Sequence, residues 1–223
     1  MTTAIVIAKE PVAGRVKTRL CPPCTPDEAA AIAAAALRTT LEVVLNAQFD
    51  RRVVAFDGDP NGWIPPGFDI IAQRGGGLDE RLAHAFADVV ETQHQNAPIV
   101  LIGMDTPHVT IEHLADTNRL LDTHDAVLGL TPDGGWWCIG LHAPDPNVFL
   151  GVPMSQPDTG ERQLERLHEL HLATALHAQL RDVDYFDDAV AVAAHLPTSE
   201  FARLVQRVDT RATAGGRKGP MLR

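Results

Sequence analysis

Cysteine, the residue on which disulfide frameworks and zinc knuckles depend, is scarce in this sequence. The chain has three cysteines, Cys21, Cys24 and Cys138, and their spacing is not that of a disulfide framework. We therefore expect reduced thiols and a cytoplasmic protein. Cys21-Pro-Pro-Cys24 has the spacing of a redox motif or a zinc knuckle, but no second pair follows, so an ordinary loop is the favoured interpretation.

Long apolar runs and excess positive charge are also missing. No stretch of about 18 uncharged apolar residues occurs, and Lys9 and Glu10 follow the first apolar segment directly, so we expect neither a membrane span nor a secretory signal. The 19 basic side chains are outnumbered by 29 acidic ones, which gives a net charge of −10. Because that charge repels phosphodiester backbones, nucleic acid is not an expected partner, whereas small ligands are.

What is present is an ordinary globular composition, 45% hydrophobic and 22% charged, in a chain of 223 residues. This length favours one large domain with a sizeable core over two small ones. We predict a single domain over residues 1–208. Residues 209–223 carry four basic residues against one acidic residue and no apolar periodicity, so a flexible basic C-terminal tail is expected there.

Apolar segments alternate with amphipathic ones along the chain. Ala4–Ala8 and Pro98–Gly103 are continuous and β-branched, which is typical of strands buried on both faces. Thr25-Pro-Asp-Glu28 is a capping box that opens a helix. Further strands are predicted at 53–56, 69–72, 126–130 and 136–141, and helices at 78–90, 110–121, from 158 onward, 186–196 and 198–208. This alternation indicates an α/β fold with a mostly parallel central sheet flanked by helices.

A basic loop follows the first predicted strand. Ligands of open α/β sheets bind beyond the carboxyl ends of the strands, so this loop is a candidate site. Gly14 allows backbone amides to approach a phosphate, and Lys17 and Arg19 can place two cations on one side of an extended segment. A solvated basic turn is the alternative, but the position after a buried strand in an acidic chain favours phosphate binding. The Walker pattern is absent.

Carboxylates occur at two further positions of interest. Asp105 directly follows the strongest predicted strand, where it suits Mg²⁺ or Mn²⁺ bridging phosphates. An Asx-turn before Pro107 is the alternative role for this residue. Asp182 and Asp184 share one side of the chain if their segment is extended, so either could supply a second metal ligand.

A glycine pair precedes two adjacent tryptophans. Gly134 and Gly135 permit a tight turn, and Trp136 and Trp137 would then point to opposite faces of the following strand. One indole is expected in the core and the other in a pocket, where it could stack on an acceptor. A structural role for both rings is the alternative.

Five segments in this order resemble one superfamily. They are Lys9-x-Pro-x-x-Gly14-x-Val-Lys17-Thr-Arg-Leu20, Gly75-Gly-x-Leu78-x-x-Arg81, Gly103-x-Asp105-x-Pro107, Asp133-Gly-Gly-x-x-x-Ile-Gly-Leu141, and Asp182-Val-Asp184 followed by Asp188. The first four are similar to the GT-A-type nucleotide-diphospho-sugar transferases, and more narrowly to the bacterial radical-SAM/selenodomain-associated transferases, which are glycosyltransferase-like. The fifth is similar to the late acidic motif shared with sugar and cofactor nucleotidyltransferases. The resemblance extends to about residue 188.

The resemblance implies a GT-A Rossmann-like sheet and a set of roles. Lys17, Asp105 and Asp184 would be catalytic, and Asp105 with Asp184 or Asp182 would hold Mg²⁺ or Mn²⁺. Nucleotide contacts would come from Ala8, Lys9, Gly14, Arg15, Lys17, Thr18, Arg19, Gln73, Gly75 and Gly76. The acceptor pocket would comprise Arg81, Asp133, Gly134, Gly135, Trp136 and Trp137. Two departures are notable: one carboxylate followed by Thr-Pro replaces the usual Asp-x-Asp, and tryptophans stand where relatives are rich in tyrosine.

Three functional classes fit these residues. The first is glycosyl transfer from a nucleotide-diphospho-sugar to a small acceptor. The second is nucleotidyl transfer, in which a nucleoside triphosphate reacts with a phosphorylated small molecule and pyrophosphate leaves; Lys17-Thr-Arg-Leu20 resembles the phospholactate guanylyltransferases here. The third is a nucleotide-binding protein without catalytic activity.

Overall fold

The computed structural model describes residues 1–92 and 97–216, over which strands and helices alternate. In chain order the elements are β1 Thr3–Lys9, α1 Pro26–Asn46, β2 Arg51–Asp57, β3 Asp69–Ala72, α2 Leu78–Thr92, β4 Ile99–Gly103, α3 Ile111–Leu121, β5 Ala126–Leu130, β6 Trp136–Leu141, α4 Thr159–Glu169, β7 Thr174–His177, α5 Phe186–Ala193 and α6 Glu200–Gly216. The predicted strands and helices are confirmed, with shifts of a few residues at their ends, and β7 is an addition to them.

The seven strands form one sheet in the order β3-β2-β1-β4-β6-β5-β7. All neighbours are parallel except β6, which is antiparallel to both β4 and β5. The predicted mostly parallel sheet is therefore confirmed. Because β6 runs the other way, its first residue, Trp136, lies at the same edge as the carboxyl ends of β1 and β4, and this edge carries the candidate site.

Side-chain alternation along β1 divides the core into two layers. Val6 and Ala8 pack with α1 on one face, whereas Ile5 packs with Leu82 and Phe86 of α2 on the other. Helix α3 shares the first layer and α4 shares the second. Helices α5 and α6 pack against α1 in a third cluster, so α1 is covered on two sides. Among the described residues, no helix combines the length and apolar character that crossing a membrane requires.

The predicted capping box fixes the start of α1 at the end of the basic loop. The Thr25 hydroxyl accepts from the Glu28 amide, and the Glu28 carboxylate accepts from the Thr25 amide at 2.8 Å. Pro26 occupies the first helical position, where its missing N–H costs nothing. The loop between β1 and α1 therefore has two firmly held ends.

The C-terminal boundary differs from the prediction. Helix α6 continues to Gly216, so the expected flexible tail from residue 209 is wrong for residues 209–216. Arg211 explains the extension, because its guanidinium pairs with Glu28 and donates to the Pro23 carbonyl. Residues 217–223 lie outside the described part of the chain.

Candidate active site

An open cavity of about 700 Å³ lies at the carboxyl edge of the sheet. Its wall is formed by the loop after β1, the carboxyl end of β4, the first residues of β6, the start of α2 and the segment that precedes α5. Most of the predicted site residues lie on this wall: Ala8, Lys9, Arg15, Lys17, Thr18, Arg19, Gln73, Arg81, Asp105, Asp133, Gly135, Trp136, Trp137, Asp182 and Asp184. The structure thus brings together side chains that are more than 160 residues apart in sequence.

Four predicted glycines do not line the cavity, and two of them serve the scaffold instead. The Gly76 amide donates to the Glu80 carboxylate at 2.7 Å, which ties the segment before α2 to the first turn of that helix. Gly134 accepts from the Gly160 amide at 2.7 Å, and a Cβ on it would lie 1.7 Å from the Pro157 carbonyl oxygen. These contacts give Gly76 and Gly134 a part in backbone packing, and their predicted ligand roles stay predictions. Gly14 and Gly75 lie outside the lining as well.

Lys17 holds three elements together at the centre of the site. Its Nζ lies 2.8 Å from Asp105 Oδ2 and also donates to the Val183 carbonyl, and its side chain is only 7% exposed. The Val183 amide in turn donates to the Asp105 carbonyl at 2.8 Å. The Asp105 carboxylate is thus directed to Lys17, and its predicted role as a metal ligand stays a prediction.

Arg19 forms a second cation–carboxylate pair nearer the surface. Its guanidinium contacts Asp184, and its Cζ lies 5.7 Å from the centre of the Tyr185 ring. Tyr185 also lines the cavity, although sequence reasoning did not select it. Both predicted phosphate-binding cations are therefore paired with predicted metal-binding carboxylates.

Asp182 lies among these charges without a partner of its own. Burial raises its pKa to about 6, and the negative charges of Asp133, Asp105 and Asp184 act in the same direction, while Lys17 opposes them. Among the described residues, none donates a hydrogen bond to the Asp182 carboxylate or forms an ion pair with it. Three carboxylates and one ammonium thus act on Asp182, and this local excess of negative charge favours a cation beside it.

The oxygen donors of the site fit a hard divalent cation that is shared with a ligand. Carboxylate oxygens are the ligands that Mg²⁺ and Mn²⁺ prefer. In the described part of the chain, however, no group of three or more histidine, cysteine, aspartate or glutamate side chains is placed to hold a metal ion. Asp105, Asp182 and Asp184 therefore do not form a closed three-carboxylate site, and the predicted pairing of Asp105 with Asp184 or Asp182 stays a prediction. Mg²⁺ commonly uses one or two carboxylates together with substrate phosphates, and this arrangement matches the residues present.

The two tryptophans divide as the strand pattern predicts. Trp137 is 2% exposed and donates its indole N–H to the Ala178 carbonyl at 3.0 Å, so its ring belongs to the core. Trp136 is half-buried and lines the cavity, together with Leu78 and Met154, which no sequence motif indicated. Trp136, Leu78 and Met154 thus give part of the cavity wall an apolar surface.

Gln73 and Arg81 are held in place on the wall by neighbouring strands. Gln73 Nε2 donates to the carbonyls of Ala8 at 2.7 Å and Ala55 at 2.9 Å. Only the Gln73 amide nitrogen can donate to these two carbonyl oxygens, so Gln73 Oε1 is left as a hydrogen-bond acceptor for a ligand. Arg81 Nη1 pairs with Asp57 at 3.1 Å, which positions its guanidinium at the start of α2.

The cysteine pair has the features of a structural loop. Cys21 and Cys24 are free thiols, and Cys24 is buried. Burial raises the pKa of the Cys24 thiol to about 11, so it is a poor nucleophile and a poor metal ligand at neutral pH. The favoured interpretation of an ordinary loop agrees with these properties. Cytoplasmic location stays a prediction.

One protein family matches the sequence. A family model described as "Uncharacterized protein conserved in bacteria (DUF2064)" covers residues 29–156, which is more than half of the chain. No curated protein matches the chain.

Solved structures with the same fold have low sequence identity to this chain. A protein from Desulfovibrio desulfuricans G20, provisionally named a nucleotide-diphospho-sugar transferase, is 24% identical, with 94% of this chain and 95% of that one covered and a TM-score of 0.84. Rv0371c from Mycobacterium tuberculosis H37Rv, solved in complex with manganese, is 20% identical over 86% and 97% of the two chains, with a TM-score of 0.53. CMP:2-keto-3-deoxy-manno-octonic acid synthetase, solved with CTP, is 13% identical over 88% and 99%, with a TM-score of 0.54.

At these identities the likeness establishes the fold. It confirms the predicted single-domain, Rossmann-like α/β architecture of the GT-A kind. The narrower relation to radical-SAM/selenodomain-associated transferases stays a prediction.

Proposed function

Because the chain belongs to the DUF2064 family, whose description gives no activity, we propose its function from the site: it is a metal-dependent transferase that uses a nucleotide-activated donor. The reaction we favour is glycosyl transfer from a nucleotide-diphospho-sugar to a small acceptor. One observation carries the proposal. Two cations of the β1 loop, Lys17 and Arg19, meet the carboxylates of Asp105 and Asp184 at one end of a cavity large enough for a nucleotide.

The cations of the loop supply the chemistry that a departing diphosphate requires. Negative charge builds on the phosphate oxygens as the bond to the transferred group breaks, and fixed positive charge nearby stabilises that state. Lys17 offers a point charge and Arg19 a planar fork of donors, which together suit a diphosphate. The nucleoside would lie over the ends of β1 and β2, where Gln73 presents its free acceptor.

The carboxylates suit a cation that is held together with the donor. Bound Mg²⁺ or Mn²⁺ would supply Lewis-acid stabilisation of the phosphates. Asp105 with Asp184 or Asp182 would hold it. The manganese complex of Rv0371c, a protein of the same fold, supports a divalent metal in this proposal.

The acceptor would occupy the opposite wall of the cavity. Trp136 offers an aromatic face there and Arg81 adds a positive charge, while Asp133 lies close enough to the carboxylate cluster to raise the pKa of Asp182. This wall lies on the side of the sheet that α2 and α4 cover, whereas the basic loop lies on the side of α1. Donor and acceptor would thus enter from different sides and meet above the ends of β1 and β4.

Nucleotidyl transfer is the second candidate. A single aspartate after β4 combined with a late aspartate pair favours it over glycosyl transfer, and a synthetase of the same fold is solved with CTP. In this reaction a phosphorylated acceptor attacks the α-phosphate of a nucleoside triphosphate, the bond between the α- and β-phosphates breaks, and pyrophosphate leaves.

The product formed distinguishes the candidates. The protein is incubated with nucleoside triphosphates and nucleotide sugars plus Mg²⁺ or Mn²⁺, and stabilised pairs are identified by thermal shift before products are measured. Released nucleoside diphosphate supports glycosyl transfer, and released pyrophosphate supports nucleotidyl transfer. Stabilisation without turnover against any acceptor tested supports the third class, a non-catalytic nucleotide-binding protein. Failure of every nucleotide to bind contradicts the proposal.

Replacement of either loop cation tests the donor site directly. We expect Lys17→Ala and Arg19→Ala each to weaken nucleotide binding in the presence of metal, since each removes a charge-assisted phosphate contact worth about 1.5 to 3 kcal/mol. Arg38→Ala is the control, because it breaks an exposed ion pair with Glu200 remote from the cavity. Equal affinities for all four proteins at matched ionic strength would mean that the loop is a solvated turn.

A further inference from the structure

We infer that Lys17 and Arg19 compete with a metal ion for the carboxylates of Asp105 and Asp184. Metal that binds these carboxylates frees the two cations for the donor phosphate, and phosphate that binds the cations frees the carboxylates for metal. Binding of the two ligands is then mutually dependent. The inference rests on the proposed function and adds to it how the two ligands of that site are coupled.

The Lys17 ammonium stands where a cation would be expected. It is almost fully buried and has two oxygen neighbours, Asp105 Oδ2 at 2.8 Å and the Val183 carbonyl. An ammonium has three N–H donors, so two of its three are already used by protein oxygens. A divalent cation bound to Asp105 would need oxygen distances of about 2.0 to 2.6 Å and would compete with Lys17 for the same carboxylate.

Arg19 repeats this arrangement in a more exposed position. Its guanidinium pairs with Asp184 while resting against Tyr185. Its side chain is 57% exposed and that of Asp184 is 30% exposed, so solvent screens this pair more than the pair of Lys17 and Asp105. Lys17 is therefore expected to dominate the coupling.

The balance of charge explains why neither ligand binds well alone. Metal arriving first meets the ammonium of Lys17 beside Asp105. Phosphate arriving first meets a lysine that is already occupied and the unpartnered carboxylate of Asp182, which repels it. When both ligands arrive, the phosphate attracts Lys17 away from Asp105 and the metal neutralises the carboxylates. By thermodynamic reciprocity, each ligand then raises the affinity for the other by the same factor.

Metal binding alone provides the decisive measurement. Mn²⁺ is titrated without nucleotide into three proteins: the wild type, Lys17→Met and Arg15→Met. Binding is followed by calorimetry or by the electron paramagnetic resonance signal of free Mn²⁺. We expect Lys17→Met to bind Mn²⁺ tighter than the wild type by roughly fivefold or more, because the competing ammonium is gone. Arg15→Met is the charge-matched control: Arg15 lines the same cavity and forms no ion pair among the described residues, so its loss should change Mn²⁺ affinity much less.

A second variant tests the coupling from the phosphate side and does not depend on the stability of Lys17→Met. In the presence of a chelator, inorganic pyrophosphate should bind Asp105→Asn more tightly than the wild type, since Lys17 is released and one negative charge is removed. In Arg38→Met, pyrophosphate affinity should equal that of the wild type.

The outcomes separate this inference from the proposed function. No gain of Mn²⁺ affinity in Lys17→Met, or an equal gain in Arg15→Met, overturns the inference even if nucleotides bind as proposed. No gain of metal-free pyrophosphate affinity in Asp105→Asn overturns it as well. If no nucleotide binds any variant, the proposed function fails, and the Mn²⁺ comparison still decides whether Lys17 competes with metal.

Discussion

Two side-chain cations of the site are paired with two of its carboxylates. Lys17 satisfies Asp105 and Arg19 satisfies Asp184, while Asp182 is left as an unbalanced carboxylate. Burying Lys17 is tolerable because its ammonium has both a carboxylate and a carbonyl to donate to. The residues proposed to bind the donor are thus also ion-pair partners of one another within the protein.

Asp105 is the residue whose charge should matter most for metal. We expect Asp105→Asn to keep the fold and to lose metal-dependent nucleotide binding, because the amide retains the shape of the carboxylate without its charge. The measurement is nucleotide affinity with Mg²⁺ and with a chelator, accompanied by a circular dichroism spectrum. If the affinity of the variant still rises with Mg²⁺ as in the wild type, Asp105 does not hold the metal.

The two tryptophans should respond differently to the same substitution. Trp137→Phe removes a buried indole N–H that donates to the Ala178 carbonyl, so the free energy of unfolding should fall by about 1 to 3 kcal/mol. Trp136→Phe should leave stability within about 0.5 kcal/mol and instead remove most of the change in tryptophan fluorescence on ligand binding. Urea denaturation and fluorescence titration measure these effects. A ligand response that persists in Trp136→Phe would place the ligand away from this indole.

Among the secondary-structure elements, the start of α1 connects the site loop with the last helix. Glu28 accepts from the Thr25 amide within the capping box and pairs with Arg211 of α6. Helix α6 also packs on α1 through Phe201, Val205 and Val208. The C-terminal helix is thereby fixed to the segment that ends the basic loop.

The Glu28 carboxylate gives this junction a dependence on pH. Hydrogen bonds from Arg211 and from the Thr25 amide hold the pKa of Glu28 at about 2, below its ordinary 4.5. A carboxylate whose pKa is lowered by folding stabilises the folded state above its unfolded pKa and loses that contribution as pH falls through the folded value. We therefore expect the stability difference between wild type and Glu28→Gln to be constant above about pH 5 and to shrink between about pH 4.5 and pH 2.

Denaturation curves at several pH values measure that difference, and Glu200→Gln serves as the control because Glu200 forms an ordinary exposed pair with Arg38. A difference for Glu28→Gln that does not change between pH 6 and pH 2.5 would contradict the role of this carboxylate.

For the molecule as a whole, the sheet and the C-terminal helices meet at a buried histidine. His108 follows β4 and stacks on His195 after α5, with ring centres 5.4 Å apart, and its Nδ1 has no hydrogen-bond partner among residues 1–92 and 97–216. Burial lowers the pKa of His108 to about 4, and His195 and His113 act in the same direction. Protonation therefore favours the unfolded chain.

Acid should weaken the fold through this histidine at a higher pH than through Glu28. A histidine whose pKa is lowered by folding contributes its full stability above about pH 6.5, and that contribution decreases as pH falls toward about 4. We expect the wild type to lose unfolding free energy over this range and His108→Phe to lose less. Equal slopes for the two proteins between pH 6.5 and pH 4 would mean that His108 is hydrated and not buried in solution.

Local order in this protein follows from its sequence, because the interactions responsible act over a few residues. The apolar runs of β1 and β4, the capping box at Thr25 and the alternation at Trp136 and Trp137 each predict an element or an orientation that the structure contains. Position at the ends of buried strands was likewise sufficient to select Lys17 and Asp105, since parallel strands direct their carboxyl ends to one edge.

Only the tertiary structure decided which of these groups meet. Lys17 and Val183 are 166 residues apart, and their contact depends on how α5 packs against α1, which no local pattern encodes. The reversed direction of β6 and the edge strand β7 are set by pairing within the whole sheet. Helix α6 continues to Gly216 and pairs Arg211 with Glu28 of α1, a contact between segments that are distant in sequence. Residue spacing fixes hydrogen bonds and periodicity within a segment, whereas pairing between distant segments is selected by the burial and charge balance of the complete fold.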